Sequence, residues 1–195
     1  MFESFLFIIS YFCGSIPFGL LLTQFSGIGD VRTIGSGNLG ASNVLRTGNK
    51  ALALATFIGD SLKGALPIWI MNKYDIEVLV IAASGAFLGH LFPIWLKFRG
   101  GKGVSTYAGL LFAFSIPAFF GFAAIWIFCA AMWRYSSLAA LVATFISPLI
   151  VYFFIGSASV SLFSGMSLLT WLKHRKNIKR LLIGSERKIG DIQIL

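Results

Sequence analysis

Three short polar segments interrupt a very apolar chain, and each contains residue types that can bind an anion. The first polar segment, residues 35–46, contributes Ser36, Gly37, Asn38, Asn43 and Arg46. Glycine and asparagine tolerate positive φ, so successive backbone N–H groups in such a loop can converge on an anion. A serine hydroxyl and an arginine fork would add further contacts to a phosphate. The segment alone is equally typical of a flexible surface loop.

The second polar segment, residues 97–103, places three glycines around a lysine: Gly100, Gly101, Lys102 and Gly103. A backbone without Cβ atoms can approach a phosphate closely, and Lys102 would supply the counter-charge. A helix beginning at Val104 would favour an anion through its N-terminal dipole. The spacing is not GxxxxGK[ST], so a nucleotide P-loop is not indicated. A positively charged membrane anchor is the alternative.

The third polar segment, residues 173–188, places His174, Asn177 and Leu181 on one helix face by i, i+3 and i+7 spacing. A plain membrane anchor has no need of histidine and asparagine on its buried side. Glu186 is the one acidic residue in this segment, and we expect it to pair with a cation and brace the tail. An interfacial amphipathic helix on anionic lipid is the alternative interpretation.

Asp60 and Lys63 lie three positions apart inside an apolar run. A lone charge in mid-bilayer costs roughly 2.5–3.5 kcal/mol on insertion scales, so we expect the two to form an ion pair. His90 is expected to be a hydrogen-bonded core histidine rather than a catalytic one. The two cysteines, Cys13 and Cys129, lie in apolar runs, and we predict neither a disulfide nor a metal site.

The composition indicates a membrane protein. Hydrophobic residues make up 57% of the 195 and charged residues 12%, whereas charged residues are about 25% of soluble domains. This balance excludes a disordered chain, a coiled coil and an ordinary soluble enzyme. The net charge is +9, but basic and aromatic residues do not share an exposed groove, so we expect no nucleic-acid partner. We interpret the basic residues as topology signals in cytoplasmic loops.

The elements that must position the polar segments are helices. We predict an all-α polytopic membrane protein with seven transmembrane helices, two of them short, forming a single domain over residues 1–195. The N-terminus is predicted outside and the C-terminus in the cytoplasm, because this arrangement leaves nearly all Lys and Arg inside. The apolar runs cover residues 4–25, 51–72, 78–96, 104–132, 136–155 and 157–172.

Prolines in the first and fourth of these runs bear on how the helices divide. The first run has no basic start and no cleavage site, so we expect it to be retained rather than to be a signal peptide, with Pro17 kinking it. The run from Val104 to Met132 has Pro117 near its middle. We predict that it divides into two short helices of about 14 residues, below the usual ~17–25 for a crossing.

The three polar segments, in this order, resemble the motifs of a known family. GSGNLGASNVLRTGNK, GHLFPIWLKFRGGKGVST and HRKNIKRLLIGSERK are similar to the motifs of the bacterial acyl-phosphate-dependent glycerol-3-phosphate acyltransferases, the PlsY type. The resemblance covers nearly the whole chain. It implies transfer of a fatty acyl group from acyl phosphate to the 1-hydroxyl of sn-glycerol 3-phosphate, giving lysophosphatidic acid and phosphate in phospholipid biosynthesis. It also implies the bacterial inner membrane, a cytoplasmic active site, contact with membrane lipid and no cofactor.

By motif position, the resemblance assigns roles to individual residues. The catalytic group would be Ser36, Arg46, Lys102, His174 and Asn177. The substrate phosphates would be bound by Ser36, Gly37, Asn38, Arg46, Gly100, Gly101, Lys102 and Gly103. Structural support would come from Asn43 and Glu186. The sequence departs from the family pattern at three positions that carry none of these roles: Leu39, Ser42 and Arg187.

The chemistry leaves one choice open. An acyl phosphate is already activated, so no protein nucleophile is required. The proton of the glycerol hydroxyl goes either to His174 or to the phosphate of the acyl phosphate. The HxxxxD pattern of acyl-CoA-using glycerolipid acyltransferases is absent, since Trp95 follows His90 and Lys179 follows His174 at that spacing. A transporter of a phosphorylated solute is the alternative function, but it would place polar groups deep in several spans.

Overall fold

The computed structural model describes residues 1–191, and the regular secondary structure in that range is entirely helical. Ten α-helices follow one another, with short 3-10 turns between some of them. Their bounds are α1 Phe2–Gly14, α2 Phe18–Phe25, α3 Ala41–Val44, α4 Lys50–Ile70, α5 Ile76–Leu91, α6 Val104–Phe114, α7 Ile116–Trp133, α8 Ser136–Phe154, α9 Val160–Lys173 and α10 Arg175–Leu182.

Within residues 1–191, five helical segments are long and apolar enough to cross a membrane: Phe2–Phe25, Lys50–Ile70, Ile76–Leu96, Ile116–Trp133 and Ser136–Phe154. The predicted all-α class with several membrane-length helices is confirmed. The shorter α6, with 11 residues, and α9, with 14, fall below the length usually needed for a crossing. The count of seven spans therefore stays a prediction.

Large apolar side chains cover the exposed faces of the long helices. Ile127 and Phe128 on α7 are both 61% exposed, and Phe145 and Phe153 on α8 are both 71% exposed. Water would penalise so much apolar surface, whereas lipid chains are an equally apolar environment. The helices are therefore suited to a bilayer on these faces.

The apolar run from Val104 to Met132 breaks as predicted, but not at its middle. The break falls at Ser115, so the two helices have 11 and 18 residues rather than equal lengths. The Ser115 side chain caps α7 by accepting a hydrogen bond from the Ala118 amide at 3.4 Å. Pro117 lies in the first turn of α7, where its missing N–H costs nothing.

The first apolar run is broken rather than kinked. Helix α1 ends at Gly14 and α2 begins at Phe18, with Pro17 at φ −90° and ψ 76° between them. Proline has no backbone N–H and clashes with the preceding helical turn, which explains why the helix stops here. The carbonyl groups at this break need partners from elsewhere in the fold.

The described chain forms two compact units. Among the described residues, the N-terminal unit is Met1–Leu110 together with Gly190 and Asp191, and the C-terminal unit is Leu111–Ile189. In the N-terminal unit, α1 and α5 pack backbone to backbone, because a Cβ at Gly14 would collide with the Ala86 carbonyl and one at Gly85 with that of Phe7. Such contacts between small residues are typical of membrane helices. The single domain over residues 1–195 stays a prediction.

The C-terminal unit packs α7 against α8 and α8 against α9. Phe163 on α9 is fully buried, and the Ser167 hydroxyl donates to the Thr144 carbonyl of α8 at 2.7 Å. A polar link of this kind is a common way to join helices where no hydrophobic force drives their association. It fixes α9, which leads directly into the third polar segment.

Candidate active site

Asn43 organises the first polar segment, which lies in the N-terminal unit. Its side chain is buried, and its Oδ1 accepts hydrogen bonds from the Ser36 amide at 2.8 Å and the Ser36 hydroxyl at 3.1 Å. Its Nδ2 donates, at 2.9 Å each, to the carbonyl oxygens of Val31, Ile34 and Asn38. The amide thus uses both its acceptor and its donor capacity to hold the loop in one conformation. This is the geometry of a supporting residue.

Arg46 crosses the loop above Gly35. Gly35 and Gly37 have φ of +59° and +70°, the left-handed conformations that the glycine pattern predicts. A Cβ at Gly35 would lie 2.8 Å from Arg46 Cδ, so a larger residue there would displace the arginine. The half-buried Arg46 side chain is therefore guided by the loop that a phosphate would contact.

Two amides of the predicted anion nest are engaged within the loop itself, and the nest stays a prediction. The Ser36 amide donates to Asn43 Oδ1 at 2.8 Å, and the Gly37 amide donates to the Ile34 carbonyl at 2.9 Å. Both therefore maintain the loop itself. The side chains of this segment that are suited to an anion are those of Ser36, which is exposed, and of Asn38 and Arg46, which are half-buried.

The second polar segment docks on the end of α5. The Gly100 amide donates to the Leu91 carbonyl at 3.2 Å, and the Gly101 amide donates to the His90 carbonyl at 3.1 Å. A Cβ at Gly101 would collide with the His90 ring. These two glycines thus serve close packing on α5, and their predicted contact with a phosphate stays a prediction. The half-buried Lys102 follows them.

Gly103 and the helix after it agree with the sequence prediction. Gly103 has φ +91°, and a Cβ there would lie 2.7 Å from the Phe87 ring. Helix α6 begins at the next residue, Val104. Any anion held by Lys102 would therefore lie close to the start of α6, where the helix dipole favours negative charge.

The predicted ion pair in α4 is confirmed. Lys63 Nζ lies 2.7 Å from Asp60 Oδ1, and both side chains are buried. His90 is buried as well, with Nδ1 3.8 Å from Asp60 Oδ1. Nothing in the sequence indicates that this histidine also packs on Gly101, because the two residues lie in different elements.

His174 lies in the C-terminal unit, at the turn between α9 and α10. Its side chain is buried, with Nδ1 2.8 Å from the Thr170 carbonyl oxygen. A carbonyl can only accept, so Nδ1 carries a hydrogen, and Nε2 is the nitrogen of the neutral ring that can take a proton. This tautomer is the one that a general base at Nε2 requires.

Glu186 braces the third polar segment, as the sequence predicts. Its Oε1 accepts from Asn177 Nδ2 at 2.6 Å and Ser137 Oγ at 2.8 Å, and its Oε2 accepts from Arg180 Nε at 2.6 Å. Burial raises the pKa of this carboxyl, but the hydrogen bonds and the Arg180 charge outweigh burial and hold the pKa below its ordinary value. Glu186 is therefore ionised at neutral pH and orients Asn177.

Two residues that hold this segment were missed in the sequence. The sequence does not single out Ser137, and it marks Arg134 only as a topology signal. Arg134 Nη2 donates to the Ile189 carbonyl at 3.0 Å, and the Ile189 amide donates back to the Arg134 carbonyl at 2.6 Å. Both contacts join residues about fifty positions apart, which no local pattern indicates.

The predicted site residues thus lie in both units. In the N-terminal unit, the first and second polar segments reach one small pocket, lined among others by Leu39 and Gly101. In the C-terminal unit, His174 and Asn177 lie on the buried side of the third segment. Among residues 1–191, no three His, Cys, Asp or Glu side chains are grouped in a way that could hold a metal ion.

Comparison with known proteins points to one family. The sequence model described as Glycerol-3-phosphate acyltransferase matches residues 4–184. Curated proteins named glycerol-3-phosphate acyltransferase from Brucella anthropi and Mesorhizobium japonicum are 52% and 54% identical to this chain over 183 residues. The alignments cover 94% of this chain in both cases, and 91% and 94% of the relatives.

Two solved structures are also similar, both of PlsY (YgiH), an integral membrane glycerol 3-phosphate acyltransferase. The glycerol 3-phosphate form has a TM-score of 0.92 and 34% identity, covering 97% of this chain and 96% of its own. The lysophosphatidic acid form has a TM-score of 0.90 and 33% identity, covering 98% of this chain and 97% of its own. The fold therefore matches over nearly the full length of both chains.

Proposed function

The chain belongs to the glycerol-3-phosphate acyltransferase family, and on that premise we propose that it moves a fatty acyl group from an acyl phosphate to the 1-hydroxyl of sn-glycerol 3-phosphate. The products are lysophosphatidic acid and inorganic phosphate. The observation that carries this proposal is the family match over residues 4–184, which includes the first two polar segments with His174 and Asn177. The glycerol 3-phosphate and lysophosphatidic acid forms of the similar structures support the acceptor and the product.

The acyl phosphate donor is the finer part of the proposal. Two phosphate-bearing substrates need two anion sites, and the chain has several cationic side chains among its polar segments to supply them. Neither histidine is followed by an aspartate at the HxxxxD spacing of the acyl-CoA-using enzymes. An acyl phosphate also explains why no nucleophile is needed, because its phosphate is already a good leaving group.

We assign the phosphate contacts to side chains more than to amides. Lys102 binds the phosphate of glycerol 3-phosphate at the start of α6. Arg46 and Ser36 contact the oxygen atoms of a second phosphate. Gly103 gives the backbone its left-handed turn there. Gly100 and Gly101 shape the second segment by packing on α5 rather than by donating to the substrate.

In the reaction, the glycerol 1-hydroxyl oxygen attacks the acyl carbonyl carbon, and the bond between that carbon and the phosphate oxygen breaks. The electron pair leaves with the phosphate. The hydroxyl proton goes to His174 Nε2 or to the departing phosphate, and Asn177 is the candidate donor to the oxyanion. Replacing His174 with glutamine separates the two proton acceptors. If His174 is the base, we expect this substitution to lower kcat about 10²–10⁴-fold. If the departing phosphate accepts the proton, we expect a change mainly in KM.

We further propose the bacterial inner membrane as the location, with seven spans, the N-terminus outside and the active site facing the cytoplasm. The basic residues of the three polar segments support this orientation. Single cysteines at Lys73 and Lys188, in a chain without Cys13 and Cys129, test it with a membrane-impermeant maleimide. Labelling of intact cells at position 73 only is the expected result. Labelling at position 188 instead would reverse the orientation.

The donor is tested with purified protein in lipid and radiolabelled glycerol 3-phosphate. We expect lysophosphatidate with acyl phosphate and none with acyl-CoA. Lys102→Ala should abolish the product, whereas Arg99→Ala, an exposed cation in the same segment, should retain it. Product from acyl-CoA alone would assign the chain to another donor class. No product from either donor would favour a transporter of a phosphorylated solute, tested next by uptake into vesicles.

A further inference from the structure

Lys63 connects the buried ion pair of α4 to the break between α1 and α2. Its ammonium donates to the Ile16 carbonyl at 2.6 Å while lying 2.7 Å from Asp60 Oδ1. Ile16 precedes Pro17 in the break between the two helices, where its carbonyl accepts the Phe18 amide at 3.2 Å as well as the Lys63 ammonium. The ammonium also lies 5.9 Å from the centre of the Phe18 ring, in the first turn of α2. Lys63 therefore holds the start of α2.

The start of α2 in turn supports the first polar segment. Gly19 packs directly on the Leu39 carbonyl, so closely that a Cβ would collide with it. Leu20 joins a buried apolar cluster that includes Leu39 and Val44 of the same segment. A shift of α2 would therefore move the loop that carries Ser36 and Arg46.

Asp60 reaches the second polar segment through His90. Its Oδ1 lies 3.8 Å from His90 Nδ1, and the His90 carbonyl accepts the Gly101 amide at 3.1 Å. The His90 ring occupies the space that a side chain at position 101 would need. The position of His90 therefore determines where Gly101 lies, and with it the position of the next residue, Lys102.

One small pocket joins these contacts. Its lining includes Gly19, Leu39, Lys63, His90 and Gly101, which come from the helix break, the ion pair and both polar segments of the N-terminal unit. We infer that Asp60 and Lys63 are positioning residues that set the first and second polar segments for the substrate phosphates. This role rests on the proposed function for the assignment of those segments to phosphate. Neither residue is assigned a contact with substrate.

A contribution to stability does not explain the presence of the buried Asp60–Lys63 pair. Two charges taken from water are costly, and an apolar pair of similar volume is often as stable or more stable at a buried site. An apolar pair would fill the space but would neither donate to the Ile16 carbonyl nor face His90. Positioning is what the charges add.

The test compares wild type with Asp60→Leu/Lys63→Met, which removes both charges together and leaves neither one unpaired. Hydrogen–deuterium exchange in detergent reports loop order without requiring activity. We expect faster exchange in peptides covering residues 35–40 and 99–103, with the peptides of α8 unchanged. In the enzymatic assay we expect the KM for glycerol 3-phosphate to rise about tenfold or more and kcat to change less.

A second variant and a control keep the outcome decisive. His90→Asn leaves the Asp60–Lys63 pair in place, so only the peptide covering 99–103 should exchange faster. Val151→Ala, at a fully buried position of α8, lowers stability without touching either segment and should leave this KM unchanged. Unchanged exchange and unchanged KM in both test variants of an active enzyme would overturn the positioning role. An inactive wild type would instead contradict the proposed function, while the exchange results would still decide the positioning of the segments.

Discussion

The first and third polar segments are both organised by one buried side chain, but the two side chains differ in charge and reach. Asn43 is neutral, and all its hydrogen-bond partners lie within 12 residues of it. Glu186 is charged, and one of its partners, Ser137, lies 49 residues away. The hydrogen bonds at Asn43 are therefore local in sequence and involve no titratable group. The third segment depends on ionisation and on a helix distant in sequence.

Placing a charge at Asn43, the neutral side chain that organises the first segment, should have the largest effect on stability and activity. In Asn43→Asp, a carboxylate oxygen would face the carbonyl groups of Val31, Ile34 and Asn38 in place of the amide donor. We expect the free energy of unfolding to fall by about 3 kcal/mol or more, with loss of acyl transfer. Chemical denaturation in detergent and the lysophosphatidate assay measure both.

The matched control for this substitution is Asn49→Asp. Asn49 caps α4 with its side-chain oxygen, which accepts from the Leu52 amide at 3.0 Å, and aspartate caps equally well. Its stability should stay within about 0.5 kcal/mol of wild type. An equal loss of stability at the two positions would contradict the role of Asn43 in organising the first segment.

Removing the charge from Glu186, which organises the third segment, should have an intermediate effect. Glu186→Gln keeps the shape but turns an amide towards the partly exposed Arg180, whose Nε lies 2.6 Å from Oε2. We expect a loss of about 1–2 kcal/mol in stability and reduced kcat, because Asn177 loses its charged partner. Glu77→Gln, in the exposed first turn of α5, is the control. A Glu186→Gln enzyme with wild-type stability and kcat would remove the charge from the explanation.

The contributions of Asn43 and Glu186 to stability should also respond differently to pH. The folded-state pKa of Glu186 lies below its ordinary value, so its stabilising contribution is fully present above the unfolded pKa of about 4.3. The contribution is lost as the pH falls through the folded pKa. The stability difference between wild type and Glu186→Gln should therefore be constant above about pH 5 and shrink below it.

An Asn43→Leu variant gives the comparison curve. Its deficit relative to wild type should not change over the same range, since no proton binds at an amide. Denaturation midpoints across the pH series measure both differences. A Glu186→Gln difference that grows on acidification would reverse the sign and contradict the lowered pKa.

The smallest effect is expected at Arg134, which ties the end of the third segment to α7. Arg134→Ala removes the hydrogen bond to the Ile189 carbonyl and should cost about 0.5–1.5 kcal/mol. Arg134→Gly loses the same bond but suits the φ of +61° at this position, so it should cost less than alanine. Thermal unfolding of the three proteins orders them, and a glycine variant weaker than alanine would contradict the backbone argument.

What the sequence could predict follows the same division between local and distant contacts. The Asp60–Lys63 pair, three positions apart, and the left-handed glycines of the first segment were predictable because their cause is local. The Ser115 break was placed only approximately, since Pro117 marks the first turn of a helix rather than its boundary.

The rest required the fold. Glycine permits both close approach to a ligand and close packing, so the sequence alone does not reveal that Gly100 and Gly101 pack on His90 and Leu91. Their contact with a phosphate stays a prediction. The contact of Ser137 with Glu186 spans 49 residues and leaves no periodic trace in the sequence. Ligand assignments within loops were therefore less predictable than the helices that support them.

Acyl transfer from acyl phosphate is tested most directly by the fate of the oxygen that bridges its carbonyl carbon and phosphorus. Acyl phosphate labelled with oxygen-18 at that bridge is supplied with glycerol 3-phosphate to the purified protein in lipid. Attack at the carbonyl carbon predicts one labelled inorganic phosphate released for each unlabelled lysophosphatidate formed. Labelled fatty acid, or phosphate release without lysophosphatidate, would contradict acyl transfer by this chain.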